Sequence, residues 1–284
     1  MGWSLKGYYR PRTEWQALRL IRRFEPHAAA LAGGTRLVAE RNPTINILVD
    51  LSALKLDYIE IRRRRVYIGA LTRLQSIARH PQLKALAGGL LAQAAQSNAP
   101  LPIRNLATLG GTLAVSEATS ELALALLVLE AQVVLRTSDR SVVSLADFLA
   151  RREEYLFAPG LIIETRVTLP QAGSGVALAD VRLTQGDRPI VNAAALVYRK
   201  GNILQSARLA VGGVTPVPIR LPELETRLAG DYLEEATLER VSLEIESSLN
   251  PPSDRRTSAE YRRAMAGITV ARALRQAWER AKKE

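Results

Sequence analysis

The sequence predicts an α+β protein of two units, and three features carry that reading. Strands and helices mix up to about residue 170 without the regular βαβα alternation of a doubly wound parallel sheet. The stretch "QAGSG" at 171–175 then marks a linker. After it comes a hairpin pattern followed by helices, the order of a smaller α+β unit with an antiparallel sheet. A length of 284 residues and an apolar fraction of 47% leave room for two packed cores.

The elements follow in chain order. Thr13 and Gln16 have capping-box spacing ahead of Trp15, Leu18 and Ile21 on one face, which predicts an amphipathic helix over 13–23. "INILVDL" at 45–51 is β-branched and alternating, a strand, and "YIEI" and "VYIGA" give two more. Between those two lies Arg62 to Arg65, which reads as the turn of a hairpin: a solvated turn first, a contact for an acidic partner second, nucleic acid last. Thr72 and Gln75 repeat the capping-box spacing, with helices over 72–79 and 82–97 separated by Pro81. Residues 121–131, "ELALALLVLEA", are apolar nearly all round, the pattern of a helix buried on most sides. "VVLRTS" reads as a strand, "SLADFLARREEYLF" as a short helix with a ragged end, and "LIIETRVTLP" as a strand closed by Pro170.

In the second unit, apolar alternation on both sides of Gly201 and Asn202 predicts a hairpin within "NAAALVYRKGNILQSARLAVGGV". "TPVPIRLPELETRLAG" leads into helices. The last, from about 258, carries Tyr261, Met265, Ile268, Ala271, Leu274 and Trp278 at helical spacing, read as a core-facing stripe.

Composition removes several chemistries. The chain has no cysteine, so it offers no disulfide, no thiolate nucleophile and no ligand set for an iron-sulfur cluster. Two histidines, His27 and His80, make a histidine-rich metal site implausible. The longest apolar run is too short to cross a bilayer and the start lacks the apolar stretch of a signal peptide, so the expectation is a cytoplasmic protein without membrane insertion. A net charge of +11 invites a nucleic-acid reading. No aromatics are interleaved with the cations, and nucleic acid is not the expected partner.

Two glycine pairs stand out: "LAGGTRL" at 31–37 and "IRNLATLGGTLA" at 103–114. Glycine tolerates positive φ and admits a ligand close to the backbone, so such a turn can aim successive N–H groups at an anion. Taken singly, each pair reads as an ordinary turn; Gly88 and Gly89 read as a helix bend, and Gly212 and Gly213 as sites of tight packing. Neither loop fits G-x-G-x-x-G or the Walker pattern.

Together, the two loops and the acid at Glu121 resemble the FAD loops of the flavoprotein subunits of molybdenum hydroxylases, the carbon monoxide dehydrogenase medium chain and xanthine dehydrogenase family. Its loops run approximately A-G-G-T-D-L and I-R-N-x-A-T-I-G-G-N, with a later aspartate. The likeness extends through "VDLSALKLDYIEI", "LEAQVVL", "LAVGGVTPVPIR" and "DRRTSAEYRRAMAGITVARAL", nearly end to end. It implies an FAD domain of the vanillyl-alcohol oxidase (PCMH) type over 1–170, in two α/β subdomains split near 50–60, and a C-terminal α+β domain over 176–284. It also implies that backbone N–H groups of both loops hold the FAD pyrophosphate and ribityl. The matching positions are Ala32, Gly33, Gly34, Thr35 and Leu37 in the first loop, and Arg104, Thr108, Leu109, Gly110 and Gly111 in the second. Three positions depart: Arg36 replaces an aspartate, Thr112 an asparagine, and Glu121 an aspartate.

By the same resemblance, the partners are a molybdenum-cofactor large subunit and a 2Fe-2S small subunit, and electrons leave through flavin to an external acceptor. No catalytic or metal-binding residue is expected in this chain. The alternative is a subunit of the same fold that docks its partners but binds flavin weakly or not at all.

Overall fold

A computed structural model of the chain describes residues 4–157, 160–184 and 186–281. The chain opens with β1 (Gly7–Tyr9) and α1 (Glu14–Arg23). The Thr13 hydroxyl accepts the Gln16 N–H at 3.2 Å, capping α1, and the Gln16 side chain reaches back to the Arg12 N–H. β2 (Ala28–Leu31), the short α2 (Leu37–Glu40) and β3 (Ile47–Asp50) follow. β4 (Ile59–Arg62) and β5 (Arg65–Gly69) form the expected antiparallel hairpin, turning on Arg63 and Arg64.

Next come α3 (Leu74–Arg79), α4 (Pro81–Ala85) and α5 (Leu90–Ser97). Ala87, Gly88 and Gly89 all take positive φ, so the glycine pair does bend the helical run. Thr72 is not a cap. Its buried hydroxyl donates to the Tyr58 carbonyl and accepts the Tyr58 N–H, while the Gln75 amide oxygen accepts from Arg104. The backbone of Tyr58, just ahead of β4, takes up the hydroxyl that a cap would use.

α6 (Leu101–Arg104), α7 (Leu109–Val115) and α8 (Glu121–Val128) precede β6 (Gln132–Arg136), β7 (Arg140–Ser144), α9 (Leu145–Ala150), α10 (Arg152–Phe157) and β8 (Leu161–Thr168). The rest is β9 (Gly175–Val181), β10 (Val191–Lys200), β11 (Ile203–Gly212), β12 (Ile219–Arg220), α11 (Pro222–Leu228), α12 (Glu235–Ser248) and α13 (Ala259–Arg280). The "QAGSG" stretch is a tight turn: Ser174 N–H reaches the Gln171 carbonyl, and Gln171 N–H donates to the Tyr198 hydroxyl at 3.1 Å.

Two compact units result, and they do not follow one cut in the chain. The first comprises Met1–Ile77, Leu101–Val115 and Gln132–Val167; the second comprises Ala78–Pro100, Ser116–Ala131 and Thr168–Glu284. The first unit holds a parallel sheet in the order β1-β3-β2 and a five-stranded sheet in the order β4-β5-β8-β6-β7. Ala17 and Leu18 of α1 join Val49, Leu51 and Leu54 from the parallel side and Val134, Leu161 and Ile163 from the larger sheet in one core.

In the second unit, β12-β11-β10-β9 is antiparallel, with the predicted hairpin at Gly201 and Asn202. α13 packs on β9 and β10, and α12 packs on α13. α8 packs on β10 and β11 and also against α5, which is why each of its residues, Glu121 included, is buried.

The face that α13 buries is shifted from the expected one and overlaps it. Leu274 is buried and Met265, Ala271 and Trp278 pack partly buried against the same core, but Tyr261 and Ile268 are exposed, and the fully buried line runs through Ala266, Gly267, Val270, Ala273 and Ala277. Small residues win that face because backbones approach it: a Cβ at Gly267 would lie 2.3 Å from the Ser242 carbonyl oxygen, and one at Gly175 1.8 Å from that of Ala277. Helix propensity favours Gly267→Ala by about 1 kcal/mol, but overpacking at that distance costs about 2–3 kcal/mol. Urea unfolding of Gly267→Ala will therefore show net destabilisation; a stabilised variant would contradict the packing.

Candidate functional site

The first glycine loop leaves the carboxyl edge of the parallel sheet, the edge at which α/β ligands are commonly held. β2 ends at Leu31, paired with Asp50, and the chain turns through Ala32, Gly33, Gly34 and Thr35 into α2. Gly34 supplies a φ of 70°, a conformation an L side chain adopts only with strain. Among the described residues, the N–H groups of Gly33, Gly34 and Thr35 have no acceptor. Three consecutive half-buried donors of this kind form a concavity suited to an anion.

Asp50 braces this edge. Its carboxylate accepts the Ser52 N–H at 2.9 Å, the Ser52 hydroxyl at 2.8 Å and the Tyr8 hydroxyl, with the Arg10 guanidinium 3.4 Å away. Burial alone would raise its pKa; the Tyr8 and Ser52 donors and Arg10 outweigh burial and hold it below the ordinary carboxylate value. Sequence reasoning missed Tyr8 and Asp50 as a pair. The available signal was Asp50 closing a strand two residues before Ser52, an N-cap pattern.

The second loop behaves differently. Leu109 N–H donates to the Thr72 carbonyl at 2.9 Å and Gly110 N–H to the Ala70 carbonyl at 2.8 Å. Gly111 N–H reaches the Thr108 hydroxyl at 3.2 Å, and Thr112 N–H the Thr108 carbonyl at 2.9 Å. The backbone donors of Leu109, Gly110, Gly111 and Thr112 are thus engaged within the chain, the first two with residues 70–72 and the last two with Thr108. What it still presents is the half-buried Thr112 side chain. Arg104, half-buried, is steadied by Gln75 at 3.0 Å.

The two loops nonetheless meet. A Cβ on Gly33 would lie 2.0 Å from the Leu106 carbonyl oxygen and 3.1 Å from Ala107 Cα. On Gly110 it would lie 2.8 Å from Ala70 Cβ, and on Gly69 2.1 Å from the Leu56 carbonyl oxygen. Three glycines thus let four backbone segments stack without side chains between them. Arg36 is exposed and pairs with Glu40 one turn along α2, and Leu37 opens that helix.

Glu121 lies in the second unit, at the start of α8 behind the Ser120 cap. It receives the Arg182 guanidinium at 2.9 Å, and Arg182 also holds Asp180 and the Asp187 carbonyl. Burial pushes the Glu121 carboxyl up to about 7, outweighing its own backbone N–H and Arg182.

A parallel three-stranded sheet with an open glycine turn at its edge in the first unit, and an antiparallel sheet clad in helices in the second, define a two-part flavoprotein-type subunit. The sequence matches the family model described as the FAD binding domain in molybdopterin dehydrogenase over residues 4–172, and that of the CO dehydrogenase flavoprotein C-terminal domain over 177–277. The chain belongs to the family of FAD-binding medium subunits of molybdopterin dehydrogenases.

It is 26% identical over 275 residues to the glyceraldehyde dehydrogenase medium chain of Sulfolobus acidocaldarius, covering 95% of this chain and 97% of that one. It is 28% identical over 279 residues to the carbon monoxide dehydrogenase medium chain of Hydrogenophaga pseudoflava, covering 96% and 97%. A solved structure of carbon monoxide dehydrogenase from the latter organism, lacking the Mo-pyranopterin moiety of its cofactor, superposes with a TM-score of 0.92 at 27% identity, covering 99% of this chain and 100% of that one. Among the described residues no helix is long and apolar enough to cross a membrane.

Two outcomes follow. Gly33→Ala should cost about 2–3 kcal/mol in urea unfolding, whereas Gly111→Ala, whose Cβ meets only the Thr108 hydroxyl at 3.1 Å, should change stability by less than about 1 kcal/mol. Because the folded-state pKa of Glu121 is raised, its contribution to stability is fully present below pH 4.5 and lost as pH rises through about 7. Glu121→Gln should flatten the stability profile over that window, by on the order of 3 kcal/mol. An unchanged profile would show the carboxyl to be solvated.

Proposed function

We propose that this subunit binds FAD, with the pyrophosphate at the first glycine loop, and serves as the electron-transfer flavoprotein of a molybdenum hydroxylase. One observation carries the reading: the N–H groups of Gly33, Gly34 and Thr35 stand without acceptors at the carboxyl edge of a parallel sheet. The donor set suits a diphosphate, since backbone N–H groups need no charge to hold an anion and the Thr35 hydroxyl lies beside them. Arg36 adds positive charge next to the turn. Thr112 and Arg104 are the second loop's contribution to hydroxyl groups of the ligand.

Bound FAD supplies electron exchange between a one-electron donor and an external acceptor. The chain's own residues bind and orient it. Asp50 fixes Tyr8 and the strand end from which the loop departs, and the Gly33 contact fixes one loop against the other. The chain needs no catalytic acid or base of its own. Electrons arrive from a 2Fe-2S small subunit, and the molybdenum cofactor resides in a large subunit. The two similar medium chains serve dehydrogenases of glyceraldehyde and of carbon monoxide, so substrate choice is assigned to the large subunit and not to this one.

The test is a visible absorption spectrum of the purified chain before and after incubation with FAD and desalting, with identification of the released flavin. One FAD per chain is expected, and Gly34→Asp should lower affinity about tenfold or more by placing a carboxylate where the diphosphate sits. A protein that stays colourless even with its partner subunits present is the flavin-free scaffold instead.

A further inference from the structure

The β4–β5 hairpin breaks two local rules at one place. Its two-residue loop is Arg63-Arg64, and Arg63, at the first position, is held at a φ of 54°, where hairpins of this kind favour Gly. Arg62 stands directly opposite Arg65 as the last cross-strand pair, a like-charge juxtaposition that opposes strand pairing. All four arginines are exposed. Such conflicts between local preference and fold concentrate where a function is served.

The charge continues along the sheet. Tyr67 lies between two guanidiniums, with Arg62 5.7 Å and Arg166 5.8 Å from its ring centroid. Glu60 takes Arg62, and Glu164 takes Arg166 and the Tyr58 hydroxyl, so the acids within the strands are engaged and no acid lies between Arg62 and Arg65. β4 is an edge strand, and charge can guard an edge against wrong pairing. Glu60 and Arg62 already do that. A guard requires no cations in the turn itself.

We propose that this arginine tip docks an acidic surface of a partner protein. The tip has no exposed aromatic ring for stacking on bases, Tyr67 being covered by guanidiniums, and no apolar side chain to enter a membrane. The relatives are medium chains of dehydrogenases, which makes another polypeptide the expected neighbour. Planar guanidiniums suit bidentate pairing with carboxylates. The inference stands on the hairpin alone and does not depend on flavin binding.

The experiment uses the full chain and labelled poly-L-glutamate, with a duplex oligonucleotide as the competing probe, titrated at several salt concentrations. The variant Arg63→Gly with Arg64→Asn removes two charges and supplies the preferred turn. The variant Arg22→Gln with Arg23→Gln removes two exposed charges from α1. The tip variant should lose about tenfold in poly-glutamate affinity and the α1 variant less than about twofold, with salt weakening wild-type binding most. The tip variant should melt no lower than wild type. Equal losses in both variants would reduce the effect to net charge and overturn the proposal. Tighter binding of the duplex, lost with the tip, would assign the site to nucleic acid instead. A lower melting temperature in the tip variant would show that the arginines serve the fold, and would overturn it too.

Discussion

The approach of Gly33 to the Leu106 carbonyl is the contact on which the first unit's geometry turns. With no Cβ between them, two backbone segments far apart in sequence lie within touching distance, and Gly110 on Ala70 and Gly69 on Leu56 extend the same stacking. The layers are then joined by hydrogen bonds: Leu71 to Leu56, Leu109 to Thr72, Gly110 to Ala70. The arrangement divides labour between the glycine pairs. The second pair is consumed in holding layers together, which leaves the first pair's amides unpaired and rigidly placed.

Two buried acids show how donor count decides charge. Asp50 collects a backbone N–H, two hydroxyls and a nearby guanidinium, and remains ionised more readily than a free carboxylate. Glu121 has one guanidinium that it shares with Asp180, and burial prevails. The first acts as a fixed brace. The second is poised to exchange a proton near neutrality, at the end of a helix that carries no other polar side chain.

Much of the fold was legible from periodicity and turn chemistry. α1, both two-residue hairpins and the all-round burial of α8 follow directly from patterns of apolar and turn residues. What escaped depends on backbone proximity that no side chain announces. Much of the buried line of α13 is alanine and glycine, whose hydrophobic signal is weak, so the larger Tyr261 and Ile268 widened the expected face beyond the one that is buried. Thr72 had cap spacing, yet the Tyr58 backbone ahead of β4 engages its hydroxyl. The glycine pairs were visible in sequence; which of them keeps its amides free was not, because that is set by Ala70 and Thr72, residues with no motif of their own.

The interleaving of the two units constrains how such a chain can be rearranged. α5 and α8 precede the boundary between the two family models, yet α8 covers the sheet whose strands all follow it. A gene split or fused at residues 172–177 would separate an apolar helix from the β10 and β11 strands it shields, and expose both. Modular exchange at that seam therefore requires the incoming sheet to accept a foreign helix. The inheritance of the two parts as one polypeptide is in this sense enforced by burial.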